Sequence, residues 1–248
     1  DYRNGGRPGI LVGNFALEGL TLHEQQGGIF KDEAPRAGLT RPSLPFLTFG
    51  LFFFDYDLDG LLDILSANGH IDETTVEYLE RTVTYEQRPL LFRNNGGGAF
   101  AEVGLNSGRA LGKRIVGRGA AYADIDRDGD LDVLLTQNGG PAILLRNDGG
   151  NRNQWLRAAL IGTKSNRDGI GATITVTTGG VRQQRLVKTG SSYLSQSELT
   201  ATFGLGKAKQ ADEVTVAWPS GIVDRLEAVA ANQELIIKEG STGHPPAP

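Results

Sequence analysis

Short apolar runs separated by turn-rich polar stretches mark the first 150 residues. Leu51-Phe52-Phe53-Phe54, Ile64-Leu65, Leu90-Leu91-Phe92, Val133-Leu134-Leu135 and Leu144-Leu145 are too brief for helix faces and rich in aromatic or branched side chains. Such runs predict strands. From residue 151 the pattern changes to alternating apolar and polar positions. It predicts strands over Trp155–Ile161, Ala172–Thr178, Val181–Lys188, Leu199–Gly204, Glu213–Trp218, Val223–Ala228 and Glu234–Lys238. Turn signals such as Asp168-Gly169, Gly179-Gly180 and Pro219-Ser220-Gly221 fall between them. Seven short alternating strands suggest a small sandwich. The expected fold is therefore all-β in two parts, 1–150 and 151–240, with a flexible Pro- and Gly-rich tail over 241–248.

The first part repeats itself. Asp55-Tyr56-Asp57-Leu58-Asp59-Gly60-Leu61-Leu62-Asp63 is followed by Leu90-Leu91-Phe92-Arg93-Asn94-Asn95-Gly96-Gly97-Gly98-Ala99-Phe100. Asp124-Ile125-Asp126-Arg127-Asp128-Gly129-Asp130-Leu131-Asp132 is followed by Leu144-Leu145-Arg146-Asn147-Asp148-Gly149-Gly150. A weaker copy begins at Asp1-Tyr2-Arg3-Asn4-Gly5-Gly6-Arg7-Pro8-Gly9 and continues at Leu22–Phe30. It has lost the carboxylates at positions 3, 5 and 9, so it is expected to keep the turn and bind no ion. A loop, strands and an Asn/Gly hairpin repeated in this way read as four-stranded propeller blades. The units fall at about 1–42, 43–110 and 111–150. The middle one carries an extra stretch from Ile71 to Tyr85, with Glu77–Arg81 expected as a short surface helix or a long excursion.

Each complete loop places carboxylates at positions 1, 3, 5 and 9 around a glycine at position 6. Four like charges so close repel one another unless a cation lies between them. Position 12, Ser66 or Leu135, lacks the bidentate Glu of an EF-hand, and the flanks are strands rather than helices. Hard oxygen donors, about five per loop, suit calcium better than magnesium or a transition metal. The expected ligands are Asp55, Asp57, Asp59, Leu61 through its carbonyl, and Asp63 in one loop. In the other they are Asp124, Asp126, Asp128, Asp130 and Asp132. Two Ca2+ sites follow.

Composition narrows the setting. The 248 residues include 35 glycines and no cysteine or methionine. Without cysteine, disulfides and thiolate metal sites are excluded. A chain starting at Asp1 without methionine is expected to be a mature fragment. No apolar run nears the roughly 18 residues of a membrane span. The net charge of −4 would be cancelled by two calcium ions, and no basic patch advertises nucleic acid.

The D-x-D-x-D-G-x-x-D loops followed by L-[LF]-R-N-x-G-G resemble FG-GAP/VCBS repeats. The segments Asn151–Leu156, Gly162–Ala172, Ser192–Gln196, Phe203–Gly206 and Val216–Gly221 resemble the ASPIC/UnbV domain. That pairing is the arrangement of the cartilage acidic protein family, with secreted bacterial relatives. The resemblance implies a calcium-binding β-propeller followed by a small β-sandwich, in an extracytoplasmic setting. Relatives carry about seven blades, so three units imply a partial propeller, completed by further sequence or covered by a neighbouring chain.

Other candidate chemistry is thin. His23 lies in the degenerate hairpin and His244 in the tail. His70, between Gly69 and Asp72-Glu73, could form a small polar site at a blade surface, or simply bond a local carbonyl. Ser191, Ser192 and Ser195 have no G-x-S-x-G elbow or nearby histidine implied. Asn166–Gly171 lacks the Lys-Ser/Thr of a phosphate loop and reads as a turn. Arg152, Arg157, Lys164 and Arg167 read as a solvated face, or as a basic rim at the domain junction.

The favoured function is a secreted scaffold whose ions stiffen the fold and whose loops bind protein or glycan, with no catalytic residue assigned. An enzyme acting on a small molecule near His70 and Glu73 is the alternative, as is a subunit of an extracellular assembly or filament. Carboxylates surrounding each ion leave little room for substrate, which favours binding.

Overall fold

A computed structural model describes residues 1–74 and 83–242. The excursion centred on Glu77–Arg81 and the tail with His244 lie outside the described residues. The chain is all-β, and the described residues form five separate sheets, none closed on itself. Among the described residues no helix is long and apolar enough to cross a membrane.

The first sheet contains β1 (Gly9–Val12), β2 (Thr21–Gln26) and β3 (Ile29–Asp32) in that order, followed by the short helices α1 (Ala34–Ala37) and α2 (Thr40–Ser43). The second is the antiparallel meander β4 (Thr48–Phe54), β5 (Asp63–Asn68), β6 (Leu90–Asn94) and β7 (Phe100–Glu102). The third contains β8 (Gly117–Ala123), β9 (Asp132–Gln137) and β10 (Ile143–Leu145). Each acidic loop is the connection between the first two strands of its sheet. Among the described residues only the middle unit has four strands. In the first unit the degenerate loop opens directly onto β1, and in the third the chain leaves the sheet after Asn147.

Alternate faces of the middle sheet fill two cores. Ile64, Phe92 and Phe100 pack with Tyr2, Leu22 and Leu39 of the first unit. Phe52, Phe54, Leu65 and Leu91 pack with Leu131, Val133 and Leu135 of the third. Period-two side chains make this possible, because one strand supplies both neighbours.

Residues 154–238 form two further sheets around one core. One has the order β14 (Ala201–Gly206), β11 (Gln154–Ile161), β17 (Gln233–Lys238). The other has β13 (Val181–Leu186), β12 (Thr173–Thr178), β15 (Gln210–Ala217), β16 (Val223–Ala230). Leu156, Phe203 and Ile237 meet Ile174, Val176, Val214 and Val216 between them. All seven sequence-predicted strands are present with ends shifted by up to about three residues. β11 and β17 pair in parallel, which alternation alone does not reveal.

Glu239, just beyond β17, closes this unit. Its carboxylate accepts the amides of Thr163, Lys164 and Ser165 and the hydroxyls of Ser165 and Ser220. These donors hold its carboxyl well below the usual range, against the opposing effect of desolvation. The Asn166–Gly171 stretch is thus a turn, with the amides just before it committed to an internal carboxylate. Replacing Glu239 with Gln weakens several charge-assisted bonds and is expected to cost about 1–3 kcal/mol, read as a lower denaturation midpoint at neutral pH. Because the folded carboxyl is held down, its contribution is present above the ordinary Glu range and fades as pH falls.

Candidate metal centre and its docked domain

Both acidic loops fold by the same hydrogen bonds. Asp55 accepts the amides of Asp59 and Gly60 at 3.1 and 2.9 Å, and Asp124 accepts those of Asp128 and Gly129 at 3.1 Å each. Asp63 accepts the amides of Tyr56 and Asn94, and Asp132 those of Ile125 and Asn147. Position 5 accepts the amide at position 7 in each case, Asp59 from Leu61 and Asp128 from Asp130. The degenerate loop keeps this frame, with Asp1 accepting the amides of Gly5 and Gly6. Position 4 is left-handed in all three, at Asn4, Leu58 and Arg127, and so is the glycine at position 6, at Gly6, Gly60 and Gly129. Glycine adopts that backbone without steric cost. The turn therefore survives where the extra carboxylates have gone.

The hairpin asparagines lock successive units together. Asn94 Nδ2 donates to the Tyr2 carbonyl at 2.9 Å, and Asn147 Nδ2 donates to the equivalent Tyr56 carbonyl at 2.7 Å. Each thus fixes position 2 of the preceding loop.

Carboxylate oxygens of Asp55, Asp57 and Asp63 lie within 4.8 Å of one another, as do those of Asp124, Asp126 and Asp128. Burial pushes Asp55 up to about 7, Asp63 up to about 9 and Asp130 up to about 7, with neighbouring carboxylates adding to the effect. Asp57 Oδ1 and Asp130 Oδ1 are buried without any hydrogen-bond partner among the described residues. Buried oxygens of this kind are costly unless a partner arrives, and an oxygen-preferring cation is the partner these donors fit. Arg93 supplies partial neutralisation in the first loop, 3.0 Å from Asp57 and 3.6 Å from Asp59. Its counterpart Arg146 pairs instead with Asp148.

Residues 151–206 supply a cover for both loops that single-sequence reasoning missed. Asn153 Nδ2 donates to the Asp57 carbonyl and the Gly206 amide to the Leu58 carbonyl. A Cβ at Gly204 would stand 2.3 Å from Asp55 Oδ2, so strand and loop meet backbone to carboxylate. At the second loop the Trp155 ring lies where a Cβ on Gly129 would be. Arg157 was expected on a solvated face or a basic rim, yet it is only 5% exposed. Its guanidinium grips Glu198 with two bonds of 2.8 and 2.9 Å, reaches Glu234 at 3.2 Å and lies 3.4 Å from Asp124. Period-two alternation puts Arg157 on a strand, but its three acidic partners come from distant segments.

The serine-rich segment also has a structural task. Ser192 Oγ accepts the Leu51 amide of β4, while Ser195 Oγ, Ser197 Oγ and Glu198 Oε1 accept alternate amides along β8 and just beyond it, at Ala120, Tyr122 and Asp124. Side chains thus stand in for a neighbouring strand. Ser191 Oγ is bonded to Ser197 Oγ at 2.8 Å. His70 is fully buried rather than at a blade surface, with Nδ1 3.1 Å from the Asp72 carbonyl and its ring edge-on to Phe15.

Two family models match this chain: an FG-GAP-like repeat over residues 78–135 and "ASPIC and UnbV" over residues 162–244. The chain therefore belongs to the proteins that join FG-GAP-like repeats to an ASPIC and UnbV domain. Among curated proteins it is similar to cartilage acidic protein 1: 30% identical to that of Homo sapiens over 89% of this chain, and 35% identical to that of Xenopus tropicalis over 47%. It spans only 32% and 18% of those relatives' lengths.

Proposed function

We propose that this chain is a calcium-stiffened recognition module acting outside the cytoplasm, secreted, periplasmic or at the cell surface. Residues 1–150 would form blades of a partial β-propeller, and residues 151–240 a sandwich domain seated on their metal loops. The observation that carries this reading is the pair of buried, unpartnered oxygens, Asp57 Oδ1 within the Asp55, Asp57 and Asp63 cluster and Asp130 Oδ1 beside Asp128 of the Asp124, Asp126 and Asp128 cluster. Asp55, Asp57, Asp59, Asp63 and the Leu61 carbonyl would hold one ion, and Asp124, Asp126, Asp128, Asp130 and Asp132 the other. The ions would neutralise the loops and contribute folding free energy, since a preformed ligand set exists only in the native chain.

Recognition fits better than catalysis because each loop directs its carboxylates at one another and both loops pack against the second domain. The candidate nucleophilic serines are committed to backbone amides. The similarity to cartilage acidic protein 1 and the two domain types support an extracellular partner, protein or glycan.

Isothermal titration should give two calcium ions per chain, and Asp57→Ala or Asp126→Ala should each leave one. A wild-type chain that binds no calcium would overturn the reading. Because both loops contact the second domain, either substitution should also increase amide exchange in β11 or β14.

A further inference from the structure

The three repeat units differ at one position that the folding alone does not explain. In the middle unit β7 is the outer strand. It pairs with β6 in the register Asn94 to Phe100, Arg93 to Ala101 and Phe92 to Glu102, and the Val103 amide donates to the Leu91 carbonyl. Phe100, 6% exposed, enters the core shared with the first unit. In the first unit Phe30 of β3 holds the same register position, opposite Gln25 of β2, but is half exposed, so only the middle unit's aromatic is buried against a neighbouring unit. The third unit has the matching inner strands, with Leu144, Arg146 and Asn147 standing for Leu91, Arg93 and Asn94. After Asn147 the chain turns away to bond the metal loops, through the Asn151 amide to Asp130 and Asn153 to Asp57. The sheet therefore stops at β10.

The vacated place is a groove of about 640 Å³ between the second and third sheets, with Phe54, Leu65 and Leu91 on one wall and Leu131, Val133 and Leu145 on the other. Beside it lies the open edge of β10, with Leu144 half exposed. Arg109 and Arg152 line the groove without an ion pair among the described residues, while the carboxylates that also line it, Asp57 and Asp148, are paired with Arg93 and Arg146. The outer strand of the middle unit carries Glu102, two residues after its aromatic and paired with Arg88 at 2.9 Å. An edge strand with an adjacent apolar pocket is the ground plan of peptide capture by strand addition.

We propose that β10 and this groove receive an extended acidic segment of a partner protein as a fourth, antiparallel strand. An aromatic side chain of the partner fills the place that Phe100 fills in the middle unit. An acidic residue two positions on meets Arg109 and Arg152. This rests on the repeat geometry and is independent of the calcium reading.

The test uses the 248-residue chain and a fluorescein-labelled peptide copying its own outer strand, Asn95 to Val103. Anisotropy should show saturable binding, at least tenfold weaker when the peptide's Phe is replaced by Ala, and several-fold weaker when its Glu is replaced by Lys. Amide exchange should slow at Leu144 and Arg146 when peptide is bound. Leu144→Pro removes an open-edge donor and should abolish binding. The exposed pair Arg109→Glu with Arg152→Glu should weaken it several-fold with the fold intact, and decides the matter if the proline variant unfolds. Absent binding, equal binding of the Ala peptide, or protection of the groove by dimerisation of the chain itself would each overturn the proposal.

Discussion

Removing calcium is expected to lower the melting temperature by about 10–20 °C. At free calcium about a hundredfold above Kd each site contributes about 2.7 kcal/mol, and in a chain of this size each kcal/mol moves the midpoint by about 2–4 °C. The size of the effect should depend on pH. Burial pushes Asp55 and Asp130 up to about 7 and Asp63 up to about 9 when no cation is present. Between the ordinary Asp range and those values the folded, metal-free chain holds more protons than the unfolded one. Stability from these groups is therefore full at low pH and falls as pH rises through that window. Calcium replaces the protons, so its stabilisation grows over the same window. Scanning fluorimetry with calcium and with chelator at pH 5, 6.5 and 8 should show the gap widening toward pH 8. A gap that is absent, or constant across pH, would mean that these carboxylates do not share an ion.

Arg157→Ala should be the most damaging single substitution at the junction. The side chain is buried, and removing it leaves Glu198 and Asp124 facing one another without their cation. Breaking such a buried network from one side costs about 3–5 kcal/mol. Arg157→Lys keeps the charge and loses the two-pronged grip on Glu198, so an intermediate loss is expected. Urea denaturation measures both. Because Glu198 also caps the β8 edge, amide exchange should rise at Tyr122 and Asp124 together with β11. A loss below about 1 kcal/mol, on the scale of exposed ion pairs, would mean that the network is not what holds the second domain to the third unit.

Much of the fold was legible in sequence for a local reason. Strand period, the hairpin signals and the loop spacing are properties of contiguous residues. Hence the seven C-terminal strands, the two acidic turns and the survival of the turn at Asp1–Gly9 all correspond to structure. The expectations that failed concern partners far apart in sequence. Arg157 looked like a surface arginine because Asp124, Glu198 and Glu234 lie 33 to 77 residues from it. Of the two readings of His70 the local-carbonyl one holds, through Asp72, whereas its burial against Phe15 was not legible because that ring comes from another unit. Four-stranded units were expected throughout, and the departure of the chain after Asn147 is visible only once β10 is found at the edge of its sheet.

The sequence by itself determined the elements and the chemistry of the loops, since an Asp at every second position beside a glycine dictates both a left-handed turn and a concentration of negative charge. Tertiary structure alone decided what surrounds those loops: which carboxylates are buried, which oxygens lack partners, and that Trp155, Arg157 and Gly204 close over them. Burial and desolvation depend on distant segments meeting in space, and no local pattern of residues encodes that meeting.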